Sequence, residues 1–379
     1  MKTILLITGR ILPLSAQGIR YNNLIKYLKN GNRIIHLTFD KSLFSLSDID
    51  NYEIKDQFLI DFKRRLIRFL FKYINLIFPD EYRYLKNNYL HALKTISLKY
   101  EIDTIIIGMT PFSFMELAQK IKIYYKSFKI IGDLSDPFSF NAQIINKNQK
   151  IKNKRQSYEL KYLPFFDIII VLNRKIQKYY SELLSGYGTI ISVVEQGVNE
   201  GFINVNKTKE TKKIFKNFIY AGGFYKGFRE PFQLYRAVES IDTIVLHVYG
   251  AIKKQYRGNN LRNIIYHGYI SQEELITRFK DSDVIVLIDN AYGIQVPGKI
   301  IECITIGKPI LFIYENEKSP SLDYIKKAGN VFLCKNSTND IVKSLGLLLN
   351  SGSNIVDTFD PTPFLWESLA KDYSSLINS

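Results

Sequence analysis

The 379-residue sequence lacks the features by which most cofactor-dependent protein classes are recognised. Its two cysteines, Cys303 and Cys334, are not in a spacing typical of a metal or redox site, so we expect reduced thiols in a cytosolic protein. No strand-like segment is followed by G-x-G-x-x-G or by a P-loop, which argues against dinucleotide-dependent enzymes and P-loop NTPases. Without H-E-x-x-H or a Cys/His cluster, the sequence predicts no built-in metal site and no cofactor.

Long apolar runs are absent as well. No segment approaches the roughly 18 consecutive apolar residues that a membrane-spanning helix needs. The stretch MKTILLITGRILPLSAQG is apolar only over residues 4–7 before it reaches Gly9 and Arg10, which is typical of a buried first strand and not of a targeting segment. We therefore expect a cytoplasmic protein, either soluble or peripheral at the inner face of the cytoplasmic membrane.

Acidic residues are scarce in the first half of the chain. The net charge is +16; residues 1–198 contain 30 Lys and Arg against 17 Asp and Glu, whereas residues 199–379 contain 22 against 19. A basic first half indicates an anionic partner, such as a lipid phosphate, an anionic membrane surface or a nucleic acid. No nucleic-acid-binding module accompanies the charge, so we rank nucleic acid last and predict no such partner.

Segment 58–78 combines basic and apolar residues. Its cations are Lys63, Arg64, Arg65, Arg68 and Lys72. Two interpretations stay open: a basic amphipathic surface that binds anionic lipid, and a core-packing helix with a solvated basic face.

Apolar runs alternate with segments of helical periodicity along the chain. Strands are predicted at 2–8, 33–39, 104–109, 129–134, 167–173, 217–223, 243–250, 263–268, 283–289, 308–314 and 331–335. Helices are predicted at 21–30, 115–127, 231–240, 271–282, 296–307 and 337–349, and a polar surface connection at 205–213. This alternation predicts an α/β protein of two Rossmann-like, doubly wound parallel-sheet domains, which bind ligands at the carboxyl ends of their strands in a cleft between the domains.

One stretch, VPGKIIECITIGKPIL (296–311), carries a single acid in apolar surroundings directly after a turn. Gly298 allows close approach of a ligand to the backbone, and the N–H groups that open a helix suit a diphosphate. Lys299 adds a charge-assisted contact, and Glu302, one turn into the helix, is placed to accept hydrogen bonds from ribose hydroxyls. The alternative is an ordinary helix start at which an acid suits the helix dipole.

The second half resembles the nucleotide-sugar-binding domain of retaining GT-B glycosyltransferases, family-4-like enzymes of the bacterial surface-polysaccharide type. Four blocks occur in the family order: IYAGGFYKGFREP (219–231), IIYHGYISQEEL (264–275), SDVIVLI (282–288) and VPGKIIECITIGKPIL. The family's weaker amino-terminal blocks are matched by GIRYNNLIKYL (18–28), GMTPFS (108–113), GDLSDPFS (132–139) and EQGVN (195–199). PFLWESLAKDYSSLI (363–377) resembles its closing helix, so we predict an acceptor-side domain at 1–198 with the returning helix 362–379, and a nucleotide-sugar-binding domain at 199–361.

The resemblance implies transfer of a hexosyl group from a nucleoside-diphosphate sugar to a hydroxyl of a glycan or lipid-linked glycan, with retention and without a metal. Glu302 matches the second acid of the family's paired-glutamate motif; the first would fall at Ile294, where Gln295 or Lys299 takes over. The other donor-binding candidates are Gly18, Gly222, Gly223, Lys226, Arg229, Gly268, Tyr269, Ile270, Val296, Pro297 and Gly298.

Two donor-side predictions carry alternatives. Arg229 offers a fork that matches phosphate oxygens, whereas Lys226 is equally well interpreted as a solvated loop cation. In the family, the segment after His267 lines the nucleobase pocket through backbone contacts, and His267 itself is interpreted as a structural histidine.

In the first domain, Asp136 is the candidate catalytic group near the reacting sugar, with Asp133 as its rival and a turn-shaping carboxylate as the alternative. Gly18 and Arg20 are predicted to form a glycine loop that faces the donor phosphates, with Arg20 towards the acceptor; the alternative is an ordinary helix start. Thr110 and Ser113 are further acceptor-side candidates, and Asn199 is interpreted as structural.

Two other functions stay open at this point. A sugar-nucleotide 2-epimerase of the same fold would need acids and histidines at its site, and the chain has four histidines. A GT-B protein that binds the nucleotide sugar without turnover is compatible with Ile294.

Overall fold

A computed structural model describes most of the chain and divides it into two compact units. The described residues are 1–9, 11, 15–39, 46, 48–54, 78–80, 82–141, 149–203, 215–351 and 359–379. The first unit comprises Met1–Phe140, Lys147–Glu195 and Trp366–Ser379, and the second is formed mainly by Gln196–Leu365. Of the predicted segments, 205–213 and the basic stretch 58–78 (apart from Phe78) lie outside the described residues.

The described part of the first unit contains a seven-stranded, fully parallel sheet. Its strands are β1 (Lys2–Ile7), β2 (Asn32–Thr38), β3 (Asp50–Glu53), β4 (Thr104–Gly108), β5 (Lys129–Leu134), β6 (Ile168–Val171) and β7 (Ile190–Val193). Their order is β3-β2-β1-β4-β5-β6-β7, so the sheet grows outward in both directions from the β1–β4 pair.

Helices cover this first sheet. They are α1 (Ala16–Leu28), α2 (Lys86–Lys99), α3 (Met115–Tyr124), α4 (Gln149–Tyr162), α5 (Arg174–Leu183) and the C-terminal α11 (Trp366–Asn378). Apolar residues of α1 and α11, among them Leu24, Trp366 and Tyr373, share a core cluster with Ile4 and Leu6 of β1. The C-terminal helix therefore belongs to the first unit.

The second unit repeats this plan with six parallel strands among its described residues. They are β8 (Asn217–Ala221), β9 (Val245–Tyr249), β10 (Ile264–Gly268), β11 (Val284–Ile288), β12 (Ile310–Tyr314) and β13 (Val331–Lys335). The helices are α6 (Phe232–Glu239), α7 (Gln272–Asp281), α8 (Ile300–Thr305), α9 (Ser321–Ile325) and α10 (Thr338–Ser351). The strand order is β10-β9-β8-β11-β12-β13, again doubly wound.

The predicted α/β fold of two doubly wound parallel sheets is confirmed, and each predicted strand is present. The apolar runs did not predict β3 and β7. Strand β3 reads DNYE, and β7 begins with Ile190, whose side chain is exposed, because both strands lie at sheet edges and are not buried on both faces. Among the described helices, none is long and apolar enough to cross a membrane.

His36 makes the stability of the first unit depend on pH. Its ring is fully buried on β2, with Nε2 2.8 Å from the Thr8 hydroxyl and Nδ1 2.9 Å from the Asn51 side-chain oxygen. The amide oxygen can only accept, so Nδ1 carries the hydrogen of a neutral ring. Burial lowers the pKa of His36 to about 4, whereas the unfolded chain binds this proton near pH 6.5.

We therefore expect the first unit to lose about 2 kcal/mol of stability between pH 7 and pH 5, because protons bind the unfolded state more tightly. The loss should be absent from His36→Gln. The chain's one tryptophan, Trp366, lies buried in α11, so its fluorescence in urea titrations reports on this unit. Equal pH dependence of wild type and variant would show that His36 is not the group responsible.

Candidate functional site

The second sheet changes its direction of growth between β8 and β11, which pair with each other. In doubly wound sheets, ligands bind outside the carboxyl ends of the strands at such a switch point. Gly222 and Gly223 directly follow β8, and Asp289 and Asn290 directly follow β11. The two predicted donor-site glycines thus lie at the topologically favoured position.

Glycines also end β9, which pairs with β8, and β10, the next strand outward. Gly250 follows β9 and Gly268 ends β10; the Gly222 N–H donates to the Tyr249 carbonyl (3.0 Å) and the Gly250 N–H to the Gly268 carbonyl (2.7 Å). A Cβ on Gly250 would lie 2.5 Å from the Gly222 carbonyl oxygen. The ends of β8, β9 and β10 therefore carry no side chains beyond the backbone at these glycines. Gly250 was not among the predicted residues, although it ends the predicted strand 243–250.

Gly250→Ala should lower the free energy of unfolding by about 1–3 kcal/mol, because φ is +135° at Gly250 and the new methyl group meets the Gly222 carbonyl. Gly346, inside α10, has no atom within 4 Å of an added Cβ, so Gly346→Ala should stabilise by about 0.5–1 kcal/mol. Thermal unfolding followed by circular dichroism compares the two. A harmless Gly250→Ala would contradict the close approach of the strand ends.

Arg229 is held at the end of β11 by a tight hairpin. Tyr225 and Arg229 exchange backbone hydrogen bonds of 2.8 and 3.0 Å around Gly227, whose φ is +78°. The guanidinium Nη2 donates to the Asn290 side-chain oxygen at 2.5 Å, and the Asn290 amide donates to the Gln295 carbonyl at 3.1 Å. These bonds join the glycine loop after β8 to the loop that precedes Val296.

The guanidinium of Arg229 keeps unused donor capacity. Its Nε is buried and has no hydrogen-bond partner among the described residues. Lys226, by contrast, is exposed in the hairpin turn. Asn290, which orients Arg229, was missed by the sequence analysis because an asparagine after a strand has no distinctive spacing.

Glu302 is a buried carboxylate that is bound from two sides. Its side chain is 7% exposed; Oε2 lies 3.2 Å from Lys299 Nζ, and Oε1 accepts from Gln272 Nε2 at 3.2 Å. Gln272 in turn accepts from Asn199 Nδ2 at 3.2 Å. A buried charge needs such partners, and Gln272, 30 positions away in sequence, was not foreseen.

The turn before Glu302 differs from the expectation in one respect. Helix α8 begins at Ile300, and the Ile300 N–H donates to the Pro297 carbonyl at 3.0 Å, so this N–H is already used. The reason is that Pro297-Gly298-Lys299 forms a closed turn. Gly298 is exposed, and an added Cβ would meet nothing within 4 Å, so packing does not require glycine there.

The segment after β10 lies on the same face of the sheet as this turn. Ile270 and Val296 both pack against the core cluster that contains Ile300 and Ile301, while Tyr269 is 61% exposed. The second unit thus brings the turn at 296–299, Glu302 and the segment 268–270 together on one layer.

His267 is held by aromatic neighbours, in keeping with a structural role. Its Nε2 lies 2.9 Å from His247 Nδ1, and its ring stacks on Tyr249 at 4.4 Å. Partial burial, with the positive charge of Arg278, lowers the pKa of His267. A histidine that is neutral near pH 7 supports the stack as an uncharged ring.

In the first unit, Gly18 and Arg20 match the alternative interpretation of an ordinary helix start. Arg20 is fully buried: Nε lies 3.0 Å from Asp133 Oδ2, and Nη1 and Nη2 donate to the Glu195 (2.7 Å) and Val194 (3.0 Å) carbonyls. Gly18 lies in the first turn of α1, where its N–H donates to the Ser15 hydroxyl at 3.1 Å. The segment is therefore an ordinary helix start, and neither Arg20 nor Asp133 is exposed.

Of the remaining first-unit candidates, one is hydrogen-bonded within the unit and two are exposed. The Ser113 N–H and hydroxyl both donate to the Asp80 carboxylate, at 2.8 and 2.7 Å, so Ser113 is occupied within the unit. Thr110 and Asp136 are exposed. The loop after Asp136 is anchored by Glu159, whose Oε1 accepts from the N–H groups of residues 138 and 139 at 3.1 Å each.

Two doubly wound parallel-sheet units, with the C-terminal helix in the first unit, are the architecture of GT-B proteins. No protein-family model matches the sequence, and no curated protein matches it. Solved structures do match in fold. Sucrose-phosphate synthase from Thermosynechococcus elongatus has a TM-score of 0.73 at 14% identity, over 100% of this chain and 98% of that chain.

Two further structures show how widely this fold is used. Anabaena HepE, solved in complex with UDP and glucose, has a TM-score of 0.66 at 12% identity, with 100% of both chains covered. UDP-GlcNAc 2-epimerase from Methanocaldococcus jannaschii has a TM-score of 0.54 at 14% identity, again over 100% of both chains. At these identities the likeness establishes the GT-B fold.

Proposed function

We propose that the protein is a glycosyltransferase that moves a hexosyl group from a nucleoside-diphosphate sugar to a hydroxyl of a glycan or lipid-linked glycan, in the synthesis of a bacterial surface polysaccharide. The observation that carries the proposal is Glu302, a buried carboxylate that is held by Lys299 and Gln272 next to the turn that exposes Gly298. The fold likeness to HepE, solved with UDP and glucose, supports a nucleotide-sugar donor.

In this proposal each part of the second unit meets one part of the donor. Arg229 and Lys299 bind the diphosphate, as the guanidinium fork and the ammonium are suited to do. Glu302 accepts hydrogen bonds from the ribose hydroxyls. The backbone of 268–270 lines the base, and Gly298 leaves room for the ligand to approach the chain.

The reaction then depends on the charge that develops as the bond between the sugar and the diphosphate breaks. The departing diphosphate gains negative charge, which Arg229 and Lys299 stabilise at fixed positions. We propose that these two cations make a metal ion unnecessary and that the sugar is transferred with retention. Asp136, exposed on a loop anchored by Glu159, is the proposed group nearest the reacting sugar.

The proposal for the acceptor rests on the positive charge of the first half of the chain. A first half that carries 30 basic against 17 acidic residues would favour an acceptor linked to a lipid phosphate at an anionic membrane surface. The protein would then be cytoplasmic and peripheral at the inner face of the cytoplasmic membrane.

Product analysis tests the reaction. The purified protein is incubated with UDP-, GDP-, CDP- and dTDP-sugars and a bacterial lipid-linked glycan extract, with and without EDTA. The nucleotides and glycolipids are analysed by mass spectrometry, and the configuration of the recovered nucleotide sugar by proton NMR. Transfer predicts free nucleoside diphosphate together with a glycolipid heavier by one hexose, in both conditions. A nucleotide sugar that returns with inverted C2 and no released diphosphate would identify an epimerase instead.

A further inference from the structure

The second unit contains a pocket of about 560 Å³ that borders the proposed donor site and shares Arg229 with it. It is lined by the hairpin at 227–230, the start of α6, Tyr292 and the carboxyl ends of β12 and β13. Of the predicted donor-binding residues, it includes Arg229. Its volume falls within the range of about 300–1,000 Å³ that is typical of small-molecule sites.

Four of the twelve residues that line the pocket are aromatic. They are Phe228, Phe232, Tyr292 and Tyr314. Phe232 and Tyr292 are each 39% exposed, which leaves their rings accessible. Tyr314 is covered in part by Lys335, whose Nζ lies 4.7 Å from the ring centroid. Rings of this kind offer flat apolar faces beside polar groups.

The charged groups of the lining balance one another. Arg229 and Lys335 are opposed by Glu230 and Glu315, which gives a formal sum of zero. Lys335 is also paired with Glu317 at 2.5 Å. A phosphate would meet two carboxylates here, so the lining disfavours an anion and suits an uncharged ligand.

Planar amides and carboxylates supply the polar contacts. Asn336 donates from Nδ2 to Glu315 at 2.6 Å, and the Gln233 side-chain oxygen accepts from Thr338 at 2.6 Å. These bonds fix the orientation of both amides while leaving each with further hydrogen-bonding capacity: the Gln233 NH₂ group can donate, and the Asn336 oxygen can accept. Hydroxyl groups of a ligand, which donate and accept, match both.

We infer that this pocket binds the pyranose rings of an uncharged oligosaccharide. Such a ring places C–H groups against an aromatic face and hydroxyls at its edge, which matches the rings and the oriented amides of the lining. The proposal goes beyond the donor site: the sugar bound here carries no nucleotide, and its binding does not require transfer.

Saturation-transfer NMR tests the proposal with maltose, cellobiose, lactose and N-acetylglucosamine as probes, each at about 10 mM because millimolar affinities suffice for single-sugar contacts. UDP is added in parallel samples to separate this pocket from a donor site. At least one probe should bind wild type with or without UDP. Tyr292→Ala and Phe232→Ala should each weaken binding of that probe about three- to tenfold, which is the effect of one lost aromatic contact.

Tyr187→Ala is the matched control, because Tyr187 is 50% exposed in the first unit and far from the lining in sequence. It should bind the probe like wild type. The inference is overturned if no probe binds wild type, or if the Tyr292→Ala/Phe232→Ala double variant, with an unchanged circular dichroism spectrum, binds as tightly as wild type. Neither result concerns binding of UDP, so the proposed function is judged separately.

Discussion

Glu302→Ala should weaken binding of the nucleoside diphosphate by about 100-fold, because the hydrogen bonds from two ribose hydroxyls to the carboxylate are lost. Each hydrogen bond to a charged group contributes about 1.5–3 kcal/mol, and the lower end of that range corresponds to this loss. The Glu302 side chain is 7% exposed, so ligand hydroxyls that bind it are removed from water. A hydrogen bond lost there is not replaced by one to water. Glu302→Gln keeps the shape and one acceptor oxygen, and it should lose about tenfold.

The matched control for this prediction is Glu367→Ala. Glu367 also lies in the first turn of a helix and pairs with a lysine, Lys371, at 2.8 Å, but it is 53% exposed and belongs to the first unit. Binding should not change. If Glu302→Ala folds normally and binds the nucleotide like wild type, the carboxylate is only a partner of Lys299 and Gln272 within the fold.

Arg20→Met should destabilise the first unit by about 3–5 kcal/mol, because it leaves the Asp133 carboxylate buried without its cation. Both side chains are 0% exposed, and Tyr373 of α11 donates to the same Asp133 oxygen at 3.1 Å. One ion pair thus joins α1, β5 and α11. Removing both charges in Arg20→Met/Asp133→Leu should recover part of the loss, because no charge is then left buried. The rest should persist, because the Val194 and Glu195 carbonyls and the Tyr373 hydroxyl lose their partners.

Trp366 fluorescence in urea provides the measurement, because it follows the unit that contains the pair. The control is Lys178→Met: Lys178 and Glu182 are 3.9 Å apart and 79% and 68% exposed, so the change should be below about 0.5 kcal/mol. A loss below about 1 kcal/mol for Arg20→Met would contradict complete burial of the pair.

The sequence predicts the sheets well because buried parallel strands are continuous apolar runs. TIIIG of β4 and IIIV of β6 have buried side chains on both faces, and such runs cannot be mistaken for surface segments. The edge strand β3 could not be predicted in this way, because it consists mainly of exposed or half-exposed polar residues. The edge strands β10 (IIYHG) and β13 (VFLCK) were predicted because they kept apolar residues, so composition and not edge position alone decides whether a strand can be predicted.

Side-chain partners are harder to predict than strands. Arg20 was expected at a ligand, yet its partner Asp133 lies 113 positions along the chain, and nothing local to Arg20 shows that the two meet. Lys299 and Glu302, three residues apart, could be paired by spacing. Gln272 and Asn290 could not, because their contacts depend on which strands are neighbours.

The central claim is that the second unit binds a nucleoside diphosphate through Arg229, Lys299 and Glu302. Isothermal titration of the wild-type protein with UDP, GDP, CDP and dTDP tests this most directly, with Glu302→Ala titrated alongside. We predict that diphosphates of one base bind wild type with a Kd of roughly 1–100 μM and bind the variant about 100-fold more weakly. Absence of binding by all four diphosphates at millimolar concentration, with a correctly folded protein, would contradict the claim.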